Sequence, residues 1–210
     1  MTRASLRERT FRRLQESATS PVFWTVADVD AALDAAYVEI SDETAWCERS
    51  FTVDLLKDRP AYDLRTLTPD DVLTVGPAFN YQTNRWLTPV RPMDLDIHDR
   101  RWEQVLGEPS AVIARGLWWV TYYPRSGSDG GTIEQYVSVR PEPMTADTDE
   151  PGFPEAFHLG LVEHAVSDLF GQDHESALAV AAWQAYEAYE AGLSAFIQGR
   201  SRVPLRHGHA

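Results

Sequence analysis

Residues 25–47 read TVADVDAALDAAYVEISDETAWC, and the spacing of their apolar side chains decides the class of fold. Val26, Val29, Leu33, Ala36, Tyr37, Ile40, Thr44 and Cys47 recur every three or four positions, which lines them along one face of a helix. Asp28, Asp30, Asp34, Glu39, Asp42 and Glu43 fill the polar side. Thr25 stands at the N-cap position with Asp28 three residues on, a variant of the capping box. The pattern predicts a helix over 26–48. A shorter helix is expected over 3–16, with Leu6, Thr10, Phe11 and Leu14 on one face, separated from the first by the turn-forming SATSP of residues 17–21.

The far end of the chain has the same layout. Pro154 suits the first turn of a helix, where a missing N–H loses nothing. Phe157, Leu161, Ala165 and Leu169 follow at helical spacing, and Gly171 is a natural stop. This predicts a helix over 154–170 and a second over 173–198, the latter carrying Leu178, Ala182, Ala185, Tyr189 and Phe196.

Between the pairs the period changes. Residues 51–55, 61–64 and 72–77 read as short strands. Pro89 and Pro92 interrupt a stretch in which residues 93–102 allow one or two helical turns. Residues 111–114 form a further expected strand, and 117–124 and 132–139 an expected hairpin across the glycine-rich loop at 126–131. The acidic, proline-containing run 141–151 reads as a connector leading away. The expected architecture is α+β, mainly helical: a four-helix bundle made by the N-terminal pair (1–50) and the C-terminal pair (151–198), with a β-rich insertion (51–150) and a basic tail (199–210).

The 210 residues suffice for one sizeable core, and 43% hydrophobic with 24% charged residues is ordinary globular composition. A formal net charge of −13 argues against a general nucleic-acid binder, which needs excess Lys and Arg to displace counterions. An acidic wall still suits a channel through which nucleic acid passes without sticking. Lys57 is the one lysine among nineteen basic residues. Cys47 is the single cysteine, so no intrachain disulfide forms, and its place on an apolar face reads as a buried structural thiol. No apolar run reaches the length of a membrane span, and no signal-like apolar region follows the N-terminal charges, so the expected setting is intracellular or an assembly built there.

No catalytic motif is present. There is no HExxH, GxSxG, Walker or dinucleotide-binding pattern. His158 and His164 are six positions apart, about 120° in helical projection, which does not converge them on one ion. No metal, cofactor or catalytic residue is therefore expected. The adjacent carboxylate pairs read as solvated faces of an acidic chain. Arg3, Arg7, Arg9, Arg12 and Arg13 crowd the first helix, and Arg200, Arg202 and Arg206 the tail; both are candidate partner-binding surfaces. Trp118, Trp119, Tyr122 and Tyr123 are candidate subunit contacts.

Two stretches carry a resemblance. LRERTFRRL at 6–14 followed by SPVFWTVADVDAAL at 20–33 resembles the opening of tailed-phage head–tail adaptor (connector) proteins. Near the other end, Phe153-Pro-Glu-Ala-Phe-His-Leu-Gly-Leu-Val-Glu-His-Ala resembles the family's L-P-x-x-(F/Y)-H-x-x-L-V-x-x-A segment, with Phe153 where the pattern has Leu, and Asp173-His-Glu opens a long last helix as it does there. The resemblance implies a structural virion protein with no catalytic residues or cofactor, assembled in the host cytoplasm. It would form a ring of about twelve copies under the portal protein. It would touch its own neighbours, the portal and the next neck or tail protein, pass double-stranded DNA without specific binding, and meet no membrane. The rival readings are another virion role (stopper, tail completion or minor capsid protein), a small metal-dependent hydrolase using His158, Glu163 and His164, and a regulatory binding protein.

Overall fold

The computed structural model describes residues 1–116 and 118–201. In chain order its helices are α1 (Arg3–Arg13), α2 (Val26–Thr44), α3 (Leu64–Leu67), α4 (Pro92–His98), α5 (His158–Gln172) and α6 (Ser176–Ser201). Its strands are β1 (Glu48–Leu55), β2 (Tyr62–Asp63), β3 (Val72–Asn80), β4 (Arg85–Pro89), β5 (Leu106–Gly107), β6 (Ala111–Arg115), β7 (Trp119–Tyr123), β8 (Arg125–Ser126) and β9 (Gly131–Val139). The chain divides into two compact units, one built from Met1–Trp46 together with residues from Pro141 on, the other from Cys47–Arg140.

In the first unit α5 is central and packs against α1, α2 and α6. Leu161, Val162, Ala165, Val166 and Leu169 point from it into a core shared with Leu6 and Phe11 of α1, Leu33 and Ile40 of α2, and Tyr186 and Leu193 of α6. The capping box of α2 forms: the Thr25 hydroxyl accepts from the Asp28 N–H at 3.2 Å, and the Asp28 carboxylate accepts from the Thr25 N–H at 2.9 Å. Residues 141–151, expected to lead away, instead fold over the start of α1. Its unpaired N–H groups at Arg3 and Ala4 donate to the carbonyls of Asp149 (2.7 Å) and Asp147 (3.1 Å). At the other end of the unit, Gly171 does not stop its helix. α5 runs to Gln172, and the break is made by His174 at φ 63°.

α5 and α6 approach closely at Gly160, where an added Cβ would lie 2.9 Å from Tyr189 Cβ. Gly160→Val is expected to destabilise this unit by about 2 kcal/mol through overpacking, seen as a lowered midpoint in urea.

The second unit is a seven-stranded sheet in the order β1-β9-β3-β4-β6-β7-β2, with a separate parallel pair of β5 and β8. Every pairing in the large sheet is antiparallel except β4 with β6. Burial alternates along β9, as period two requires, with Ile133, Val137 and Val139 inward. β3 carries an irregularity between Val75 and Ala78. The buried amide of Gln135 spans it, donating to the carbonyls of Gly76 (3.0 Å) and Pro77 (3.2 Å). Pro77, which has no N–H to give a ladder, therefore sits where the pairing is already interrupted.

Two expectations are corrected. The fold is not mainly helical, nor a four-helix bundle with an arm: it is α+β, 44% helical and 24% strand, with a seven-stranded curled sheet. The physical reason lies in the middle of the chain. Val53, Leu55, Ala78, Leu87, Val112, Ile113, Val120 and Ile133 are buried there and supply an apolar interior of their own, so that stretch is a second compact unit and not an appendage. The hairpin expected between 117–124 and 132–139 also does not form. β7 pairs with β6, with Arg115 opposite Trp119 across a turn that includes Gly116 at φ 60°, and β9 lies between β1 and β3. The shorter closure wins, and Pro124 directly after β7 cannot extend its ladder.

Candidate docking surfaces

The α1 arginines do not form one free basic face. Arg3 Nη2 lies 2.9 Å from Asp34 Oδ2. Arg7 grips Asp30 with both arms of its guanidinium fork, Nε at 2.6 Å and Nη2 at 2.8 Å, and Nη2 also reaches Asp147 Oδ1 at 2.7 Å. Arg13 makes a second fork, on Glu163 of α5, at 3.0 and 2.7 Å. The guanidinium of Arg7 holds the Asp147 carboxyl below its usual range, and its hydrogen bonds to Asp30 first and Asp147 second raise the arginine. Arg12 pairs with Glu8 one turn back at 2.9 Å and remains exposed. Arg9 is exposed and makes no ion pair with the described residues. The cations of α1 not committed to another helix are thus Arg9 and Arg12, while Arg3, Arg7 and the still exposed Arg13 clasp α1 to its neighbours. Arg200 is exposed at the end of α6, its guanidinium 5.4 Å from the centre of the Phe196 ring. Arg202 and Arg206 lie outside the described residues.

The four aromatic candidates separate as well. Tyr122 is 2% exposed, and its hydroxyl donates to Gln135 Oε1 at 3.2 Å inside the sheet unit. Burial drives its phenol far above the usual value. Tyr123 packs edge-on to Trp102 at 5.8 Å. Trp118 is half-buried, with the Arg65 guanidinium 5.8 Å from its ring centre. Trp119, 43% exposed, is the one of the four open to a partner.

The two histidines have separate tasks. His158 is buried, with Nε2 2.8 Å from the carbonyl of Phe153. His164 Nε2 sits 2.9 Å from Glu39 Oε2. Among the described residues no three His, Cys, Asp or Glu side chains are grouped to hold a metal ion. Burial lowers the pKa of His158 from 6.5. A base with a lowered folded pKa binds fewer protons than it does unfolded, so its stabilising effect is complete above about pH 6.5 and lost as the pH falls toward the folded value. Stability measured between pH 7 and pH 5 is expected to fall in the wild type and to fall less in His158→Gln. Carboxylates such as Asp147, whose folded values are depressed, act only at lower pH.

Three surfaces were not picked out from the residues alone. The first is the loop between α1 and α2. Its backbone is held by Glu16, whose carboxylate accepts from the N–H groups of Val22 and Phe23, both at 3.1 Å. The loop presents Val22 (94% exposed) and Phe23 (61%) to solvent, with Phe23 braced edge-on against Trp24 at 4.9 Å. The second is the outward side of α6, where Ala177, Ala181, Gln184, Ala188, Ala191 and Ala195 are all exposed. They alternate four and three apart, a heptad seam of small side chains interrupted at Gln184 and flanked by exposed Leu178, Val180 and Phe196. The periodic alanines are visible in the sequence; which side of α6 the core uses is not. The third, in the sheet unit, is an aromatic row: Phe79 meets Tyr81 and Trp86, each at 5.3 Å, and Trp86 meets Tyr136 at 5.5 Å. Tyr81 and Trp86 are exposed.

Exposed apolar seams, a braced apolar loop and clasped helices are features of a protein that assembles with others. The sequence matches the SU10 adaptor protein family over residues 1–208. A search of curated proteins finds no match. With the match running almost the whole length, the chain belongs to the SU10 adaptor protein family, a family of tailed-phage head–tail adaptors.

Proposed function

We propose that this phage structural adaptor forms a ring in the neck of the particle, docked under the portal protein, with double-stranded DNA passing through its lumen. The observation that carries the reading is the outward side of α6. A 26-residue helix with one packed side and a heptad seam of small residues on the other is built to receive a second helix at close range. In a closed ring each copy offers this seam to a different patch of the next, the heterologous contact that cyclic symmetry requires. A charge of −13 per copy, repeated around a ring, favours a lumen along which DNA slides.

Docking on the portal is assigned to the outward cations Arg9 and Arg12 and to the braced loop at Val22 and Phe23. Trp119 is the aromatic contact offered to a neighbour or to the next neck protein. Cryo-electron microscopy of the protein mixed with the portal protein of the same phage tests this. The expected result is a ring stacked on the portal with α1 and its following loop at the joint. A discrete monomer or dimer with no portal association overturns it. A ring seated elsewhere in the particle would make the protein a stopper, tail-completion or minor capsid component.

A further inference from the structure

Three helices of the first unit meet at a cleft lined by Glu39 of α2, His164 and Asp168 of α5, and Trp183 of α6. His164 is 6% exposed; its Nε2 faces Glu39, while its buried Nδ1 has no hydrogen-bond partner among the described residues. The Trp183 ring lies 5.6 Å from the His164 ring and its N–H donates to Glu187, leaving no donor of its own for the cleft. Asp168 is exposed and, among the described residues, hydrogen-bonds only the amide of Gln172, at 3.2 Å. An aromatic ring beside two carboxylates fits a guanidinium, which stacks on the ring and donates to the acids.

The chain carries such a guest in its own tail, residues 199–210, GRSRVPLRHGHA, where Arg200, Arg202 and Arg206 face no acidic neighbour in sequence. Geometry decides whose tail it is. Trp183 stands 18 positions before Ser201, about 27 Å back along α6. Arg206 is five residues past that point, about 17 Å of fully extended chain. Arg200 is fixed near Phe196 at the far end of the same helix. The tail arginines therefore fall short of the cleft in their own copy.

We propose that this acidic–aromatic cleft takes an arginine from the tail of a second copy. The inference rests on the ring reading and names one contact that would hold the ring together: tail into cleft, head to tail around the circle.

The test uses the full-length protein and a fluorescein-labelled peptide of residues 199–210, followed by fluorescence anisotropy in 50 mM salt. Saturable binding is expected, about tenfold weaker for Asp168→Arg and for a peptide with Arg202 and Arg206 replaced by Ser. Glu39→Gln, which keeps a partner for His164, should weaken it by a smaller factor. No binding, or equal binding to the wild-type protein and Asp168→Arg, overturns the proposal. The portal experiment is run with the same variants. Stacked rings formed by wild-type protein that does not bind the peptide would sink the tail contact and leave the adaptor reading intact. Peptide binding with no portal association would do the reverse.

Discussion

Arg7→Met is expected to lower the stability of the helical unit by about 3 kcal/mol, because it strips a partly buried carboxylate of its partner. Arg7 and Asp30 are 16% and 19% exposed at their side chains, and both arms of the arginine are used on that one acid. Methionine keeps most of the apolar stem, so lost packing is a minor part of the effect. What remains is Asp30 with Arg3 Nη2 3.9 Å away and little water to replace the fork. Equilibrium urea unfolding measures the loss. The double variant Arg7→Met/Asp30→Asn should recover part of it, since the uncompensated charge is then gone. A loss below about 0.5 kcal/mol would place the pair among ordinary surface ion pairs.

Ala188→Arg is expected to weaken assembly of the proposed ring by about a hundredfold while leaving the fold untouched. Ala188 is exposed at the middle of the α6 seam, so the new side chain meets nothing within its own copy. Its stability should stay within about 0.5 kcal/mol of wild type. Across a close helix–helix contact it would put both bulk and an unpaired charge where an alanine stood, and the defect would repeat at every joint of the circle. Negative-stain counting of portal particles carrying a second ring reads the effect. Normal ring occupancy in Ala188→Arg would show that the seam faces solvent in the assembly.

The parts of the fold that depend on near neighbours were legible before any coordinates. Thr25 and Asp28 mark the start of α2, and the apolar spacing that follows sets its buried side. The parts that depend on distant partners were not. Two β-forming runs bracket a glycine-rich loop at 117–139 and suggest a local hairpin, yet β9 finds β1, more than seventy residues away along the chain, and β3. The arginines of α1 read as a free basic face because helical geometry says where they point, not that Asp30, Asp34, Asp147 and Glu163 come to meet them. Gly171 looks like a helix stop by residue type, whereas the break needed a positive φ and His174 supplies it. The mainly helical expectation failed for a related reason. The middle strands are short and individually weak, and only pairing shows that they make a sheet with its own interior.

The helical unit is interrupted in sequence, leaving its core at Trp46 and resuming at Pro141. On a ribosome this imposes an order. α1 and α2 emerge first, yet the apolar side of α2 at Leu33 and Ile40 has no α5 to cover it until synthesis has passed His158, on the order of ten seconds later. The sheet unit, complete by Arg140, is free to fold in that interval. α6 is translated after all of these elements, so a chain cut short before it has neither a closed helical core nor the seam, and it could not enter the proposed ring.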